Sequence, residues 1–386
     1  MDLLRSRTTQ VAAAAVLVIA VAGGGWLALG GSPRSTPIPT ARSTATPTVT
    51  PVAVATATPS ASPTPPQEPE PEPEVARCPL TGKPLASRKR LRDPALAVQI
   101  ENHPLARPVT NLGRADMVIE ATVEGDVTRY TGIYLCRKAR GVVGPVRSGR
   151  YYSIDLWQDM HVLPFMFGAG GEGIRRYHAA HLPYLNGITG GWPYFTRSSA
   201  RAAPHNLYAD LGLVRRDFGH NDRLDALAHR VGDLRAPFRF DAGVDLPGGR
   251  RVHRVQLHTN GFWSFGWDWD PDLRAWRRNE GGVEHVDAGT GRVLSATSVV
   301  VQFVREDIVY GPHDPGGYPR RYHHLVGSGR ATLYARGRAF ALHWSRPTAH
   351  SRTRWTYVHG GGRVVLPPGV VWREILPVYT TVNESR

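Results

Sequence analysis

From Val11 to Gly31 the chain carries no charged side chain, and Arg5 and Arg7 stand just before this run. Its twenty-one residues extend about 31 Å as a helix, enough to cross the hydrocarbon layer of a bilayer. Flanking positive charge stays on the cytoplasmic side, so everything after Gly31 is expected outside the cytoplasm. The small residues Ala20-Val21-Ala22 match a signal-peptide cleavage site. Trp26, Leu27 and Leu29 continue the apolar run past it, which favours an uncleaved anchor over a cleaved signal. The expected location is the cell membrane, with the bulk of the chain extracytoplasmic and held by residues 11–31.

Residues 32–75 are dominated by Pro, Thr, Ser and Ala and close on Pro-Glu repeats. Such a stretch buries too little apolar surface to offset the entropy lost on ordering. Proline extends it toward polyproline II, so its reach is on the order of 100 Å. The expected organisation is a membrane segment over 1–31, a disordered tether over 32–75, and a folded part long enough for two domains, 76–235 and 236–386.

The formal charge of the chain is +15. Residues 1–75 hold four arginines against five acids, so the folded part carries +16. Lys83, Lys89 and Lys138 are the only lysines; the rest of the positive charge is arginine. The guanidinium fork binds planar oxyanions bidentately, which suits carboxylate or phosphate partners. Codon bias or a heat-adapted background is the competing explanation. Nucleic acid is disfavoured by the expected location, despite the charge. Cys78 and Cys136 are the only cysteines. Outside the cytoplasm they are candidates for a disulfide, with two buried thiols as the alternative.

Short apolar runs at Ala95–Ile100, Asp116–Ala121, Thr131–Leu135 and Val162–Phe167 read as strands, and Tyr151–Asp159, Glu172–Ala180 and Asp222–Val231 as helices. From about residue 250 strand patterns recur at Val252–Leu257, Phe262–Trp267, Ser298–Val304, Thr332–Ala335, Ala339–Trp344 and Val370–Leu376, separated by turn residues. The expected fold is an α+β N-terminal domain followed by a mostly antiparallel β C-terminal domain. Trp263, Trp267, Trp269 and Trp276 are read as core-filling in preference to a sugar-stacking surface.

Several consecutive segments carry a resemblance. They are Cys78-Pro79-Leu80-Thr81-Gly82, Glu101-Asn102-His103-Pro104-Leu105-Ala106-Arg107-Pro108, Ala115-Asp116-Met117-Val118-Ile119-Glu120 and Val123-Glu124-Gly125-Asp126-Val127-Thr128-Arg129. Gly144-Pro145-Val146-Arg147-Ser148-Gly149-Arg150 and Ala203-Pro204-His205-Asn206-Leu207-Tyr208 follow in order. Together they resemble the YerB-like lipoprotein family, over residues 78–230 and more weakly to about 377. The resemblance implies an extracytoplasmic two-domain protein and no particular activity. Two departures stand out. Glu101 occupies a place where that family often has aspartate. A helical segment stands here where family members usually carry a lipid anchor, and no cysteine near Gly31 offers a lipid attachment point.

The polar residues of these segments form the candidate site. Glu101, Asn102 and His103 end an apolar strand, where Pro104 forces the chain out of the sheet. Arg147 and Arg150 precede an expected helix start, a favourable place for an anion. In a shared cleft, Arg147 and Arg150 would clamp an oxyanion, with Asn102, His103, Arg129 and Asn206 as further ligand contacts. Glu101, Glu124 and His205 would be the candidates for acid–base work. The competing reading is structural: Arg129 and Arg147 neutralise Glu120 and Glu124 in buried ion pairs, while Asn102 and His205 cap loops.

Other chemistries find less support. His178 and His181 have H-x-x-H spacing without a third ligand, and His323-His324 is equally unspecific, so no metal is expected. Ser148 and Ser328 lack a nucleophile elbow. Gly168-Ala169-Gly170-Gly171-Glu172-Gly173 lacks the Lys-Ser/Thr ending of a phosphate-binding loop. No cofactor is expected. The reading favoured is binding of an anionic cell-wall or envelope ligand; the alternative is a cell-wall hydrolase using a carboxylate as general acid or base. An envelope protein partner is a weaker third option.

Overall fold

The computed structural model describes residues 75–386, apart from 138–140, 191–192, 247, 260–262 and 315. The expected membrane segment, and the tether except for Val75, lie outside the described residues. Among the described residues no helix is long and apolar enough to cross a membrane.

Strands dominate over helices. In chain order the principal strands are β1 (Leu96–Glu101), β2 (Met117–Thr122), β3 (Thr128–Tyr134), β4 (Leu163–Met166), β5 (Leu185–Asn186), β6 (Arg250–Arg251) and β7 (Arg254–His258). They continue with β8 (Ser264–Asp270), β9 (Ala275–Glu280), β10 (Ser298–Val304), β11 (Gly327–Ala335), β12 (Arg338–Arg346), β13 (Val371–Pro377) and β14 (Thr381–Ser385). The helices are α1 (Tyr152–Met160), α2 (Gly170–Ala179), α3 (Leu211–Asp217) and α4 (Asp222–Val231).

One sheet of eleven strands runs in the order β6-β12-β11-β10-β13-β2-β3-β1-β4-β5, with Arg354–Tyr357 pairing β12 beside that path. β13 comes from the end of the chain and lies parallel to both β2 and β10, joining early and late strands in one hydrogen-bonded ladder. β1 and β2 each pair antiparallel with β3, and β1 pairs parallel with β4. Among the late strands, the β10–β11 and β11–β12 pairings are antiparallel.

The central strands are buried on both faces, which is why β10 reads Ser-Val-Val-Val-Gln-Phe-Val rather than alternating with charge. The period of two divides each strand between two cores. Tyr130, Tyr134 and Trp372 face one, with Val255, Phe265, Trp267 and Trp276 from a second sheet, of six strands, that includes β7, β8, β9 and β14. Ile133, Val371 and Ile375 face the other, with Tyr152, Leu156 and Met160 of α1. Each fully buried Val, Leu or Ile contributes roughly 1.5–3 kcal/mol, so a one-residue register slip in β13 would invert both faces at once. Trp267 and Trp276 are fully buried and Trp269 packs against the same core, so these three fill the interior.

Helix ends follow local chemistry. Asp210 Oδ1 accepts from the N–H groups of Gly212 and Leu213 to start α3, and Asn221 Oδ1 accepts from Leu224 N to start α4. α4 stops at Gly232, whose φ of 74° suits glycine. Cys78 and Cys136 are joined by a disulfide that ties the entry of the folded part to the end of β3.

Candidate functional site

The segment 145–149 leaves no room for choice about where Arg147 goes. Glu101 N donates to Pro145 O and Arg147 N to Gln99 O, both at 2.9 Å, so the segment lies along the end of β1. Phe167 N donates to Arg147 O and Gly149 N to Gly168 O on its other side, just past β4. A Cβ on Gly149 would stand 2.3 Å from Met166 Sδ and 2.5 Å from Tyr177 Oη, so only glycine permits this approach.

That placement sets Arg147 Nε 3.1 Å from Glu101 Oε1, an ion pair without hydrogen-bond alignment. His205 Nδ1 lies 3.0 Å from Glu101 Oε2, and the His205 ring stacks on His103 at 5.0 Å. Burial, and then the neighbouring His205, hold His103 below the usual imidazole range. His103 Nδ1 accepts from Leu105 N, capping the turn at Pro104. Glu101, His103, Arg147 and His205 therefore meet.

A second group adjoins the first. Arg129 on β3 is buried, and its Nη1 donates to Ser148 O at 3.0 Å. Arg150 Nη1 donates to the same oxygen at 3.0 Å. Arg150 also grips Glu124 Oε2, from Nε at 2.8 Å and Nη2 at 2.5 Å. Arg320 closes on Glu124 Oε1 at 2.9 Å. Burial would raise the Glu124 carboxyl, but Arg150 and Arg320 outweigh it and hold the pKa at about 2. Arg129 has no such partner. Among the described residues it makes no ion pair, and its Nε finds no acceptor. Burial, and next the Arg150 charge, lower its pKa to about 9 against the opposing pull of Glu101. At neutral pH it stays cationic, so the seam carries uncompensated positive charge.

The remaining candidates go elsewhere. Asn102 points to the opposite face of β1, where its Nδ2 donates to Thr128 Oγ1 and Glu280 Oε1 and its Oδ1 accepts from Arg107 Nε. Asn206 closes the 197–206 loop through Arg197 and Ser198 O. The buried pairs also differ from the expected ones. Glu120 is neutralised by Arg278, with Nη2 at 2.7 Å, rather than by Arg129, and Glu124 by Arg150 and Arg320 rather than by Arg147. β9 supplies Arg278 from the second sheet, and sequence reading did not single it out. Arg320, 196 residues from Glu124, was equally silent, because nothing local in the chain marks such a distance.

Residues 80–224 match the family described as "Protein of unknown function (DUF3048) N-terminal domain", and residues 253–372 match its C-terminal domain. The chain belongs to the DUF3048 family. A relative, "Putative lipoprotein YerB" of Bacillus subtilis (strain 168), is 25% identical over 312 residues, covering 80% of this chain and 89% of the relative. The crystal structure of YerB protein from Bacillus subtilis superposes with a TM-score of 0.65 at 24% identity, covering 80% of this chain and 99% of that one. At that identity the likeness shows a shared fold. This DUF3048 member thus combines a known architecture with the arginine seam just described.

Proposed function

We propose that this chain is an extracytoplasmic, membrane-tethered protein that binds an anionic ligand of the cell wall or envelope at the seam of Arg129, Arg147 and Arg150. The observation that carries the reading is Arg129, a buried cation with a free Nε and, among the described residues, no carboxylate in ion-pair contact. A buried unpaired charge is costly, and an arriving oxyanion would relieve it. The named lipoprotein relative supports the extracytoplasmic placement, as does the uncharged run near the start. We also read residues 76–235 as an α+β unit and 236–386 as a mostly antiparallel β unit, sharing the long sheet.

Burial sharpens the outward charge. Among the described residues seven acids are buried, Glu101, Asp116, Glu120, Glu124, Asp159, Asp287 and Glu374, against four arginines, 129, 278, 346 and 373. The exposed remainder of the folded part is therefore more positive than its formal +16, which favours encounter with polyanions. Binding is preferred to hydrolysis because Glu124, with both oxygens taken by arginines and a pKa of about 2, is a poor proton donor and a weak base near neutral pH.

The test is sedimentation of the full-length chain, in detergent, with purified wall material over a range of salt. Salt-dependent binding that weakens in Arg129→Met and Arg147→Gln variants is expected. Absence of binding at low salt sinks the reading.

A further inference from the structure

A cleft of about 620 Å³ opens between α2, β5 and α4, within the range of about 300–1,000 Å³ that small ligands occupy. Its floor is Tyr177, Leu182 and Asn186, all buried. Its exposed rim carries two arginines, Arg223 and Arg230, beside His178 and His181. No aspartate or glutamate lines it. The histidines that looked like an isolated H-x-x-H motif thus stand beside two arginines rather than beside further metal ligands.

Asn186 gives the cleft its demand for a partner. Its Oδ1 accepts from Gly168 N at 2.8 Å and Ile188 N at 3.1 Å, which fixes the orientation of the amide. Its Nδ2 is then left as a buried donor without an acceptor among the described residues, on a residue only 2% exposed. Leaving such a donor unmet costs roughly 1–3 kcal/mol, and Asn186 is one of the residues that line the cleft. The arginines are held at the mouth by backbone carbonyls: Arg230 Nη2 donates to His181 O at 2.7 Å and Arg223 Nη1 to Gly190 O at 2.9 Å. His181 takes the left-handed conformation, with φ of 52°, as the chain turns from α2 toward β5. Tyr184, Leu182 and Leu227 add aromatic and apolar surface beside Thr189. Arginines at the rim, a buried amide donor and a mixed aromatic and hydroxyl wall are together the complement of a small sugar or polyol with a negative group.

We propose that this cleft binds a sugar or polyol unit bearing an oxyanion, with the anion at Arg230 and the rim and a hydroxyl or ether oxygen of the unit accepting from Asn186 Nδ2. The proposal rests on the extracytoplasmic reading for access to such units. It does not rest on the arginine seam, since Arg129, Arg147 and Arg150 do not line the cleft.

The full-length chain in detergent micelles should be titrated calorimetrically with N-acetylmuramic acid, glycerol 3-phosphate and, as the neutral control, N-acetylglucosamine. One of the two anionic probes is expected to bind saturably and at least about tenfold more tightly than N-acetylglucosamine. Which one does so decides between a carboxylate and a phosphate source. Arg230→Gln, on the exposed rim, and Asn186→Asp, which keeps the acceptor and replaces the donor, should each weaken binding about tenfold or more. Arg216→Gln, the same charge loss on exposed α3 outside the cleft, should leave the affinity unchanged. Failure of both anionic probes at millimolar concentration, equal binding of the neutral sugar, or an unaltered affinity in Arg230→Gln would overturn the proposal. Wall sedimentation of Arg230→Gln separates the two sites: retained wall binding with lost probe binding supports the cleft, and lost wall binding in Arg129→Met with probe binding intact leaves it standing.

Discussion

Arg129 and Arg150 donate to one carbonyl oxygen, that of Ser148, at 3.0 Å each. Two guanidinium groups on a single acceptor repel, and only Arg150 is compensated, by Glu124. Replacing a buried, unpaired cation by an apolar side chain of similar length commonly stabilises a protein. Arg129→Met is therefore expected to raise the urea midpoint, by about 1–2 kcal/mol in stability, while wall binding falls. Arg150→Gln should do the opposite to stability and cost about 2–3 kcal/mol, because Glu124 keeps only Arg320. An Arg129→Met chain that unfolds earlier and binds wall material normally would show Arg129 to be structural.

The pH dependence follows from the depressed carboxyls. Glu124 is held at about 2 by Arg150 and Arg320 against burial. Glu280 and Glu306 also lie at about 2, where Arg278 and His323 respectively lead the groups that overcome burial. A carboxyl with a folded pKa below its unfolded value near 4.5 binds its proton more readily in the unfolded chain. Its contribution is complete above about pH 4.5 and is lost as pH falls toward 2. For Glu124 that is on the order of 3 kcal/mol. Urea unfolding at stepped pH should show stability falling steeply from about pH 4.5 downward, with a shallower acid limb in Glu124→Gln. An unchanged limb in that variant would show that the ion pairs to Arg150 and Arg320 add little.

Much of the frame is legible in the chain because local pattern determines it. Ser298–Val304 is an unbroken apolar strand with one glutamine, and Asp222–Val231 is flanked by an asparagine cap and a glycine stop; both occur where pattern places them. Ala275–Glu280 escaped, since Ala-Trp-Arg-Arg-Asn-Glu carries no strand signature of its own and becomes buried only by supplying Arg278 to Glu120 and Glu280. The hairpin of Glu306–His313 and Pro319–His323, which presents Arg320 to Glu124, escaped for a similar reason, being polar and rich in turn residues. Glu101, Arg147 and His205 meet through the backbone pairing of the 145–149 segment with β1 and the return of the chain near His205. Motif order suggested that meeting but could not orient it. Asn102, one residue from Glu101, faces the other side because the strand period is two.

Glu120 and Glu374 face each other across the parallel pairing of β2 and β13 and are both fully buried. Arg278 serves Glu120, whereas Glu374 receives a hydrogen bond from Trp267 Nε1 at 3.1 Å and its Oε2 has no partner. Burial, and next the Glu120 charge, push the Glu374 carboxyl well above its usual range, which favours its protonated form. Glutamine mimics that state. Glu374→Gln should leave stability at pH 7 unchanged or raise it slightly, while Glu120→Gln should lower it by about 3 kcal/mol or more by stripping Arg278 of a partner. Equal losses in the two variants, measured by urea unfolding at pH 7, would mean that Glu374 is ionised.

The disulfide sits where it can act on the largest share of the fold. Cys78 lies near the start of the described residues and Cys136 follows β3, a sequence separation of 58. Beside it the Asp116 carboxylate accepts from the N–H groups of Leu135 and Cys136 at 2.7 Å each, which fixes the β3 end independently of the bond. The native geometry around Cys136 therefore does not need the bridge, and its stabilisation should come mainly from restricting the unfolded chain. For a loop of this length the chain-entropy estimate is about 4 kcal/mol. The double variant Cys78→Ser, Cys136→Ser is expected to keep the native circular-dichroism spectrum and to unfold at a markedly lower urea concentration. Reductant should shift the midpoint of the parent protein in the same direction and leave the variant unmoved. A parent protein whose midpoint is indifferent to reductant would mean that the two thiols are not bridged in the purified chain.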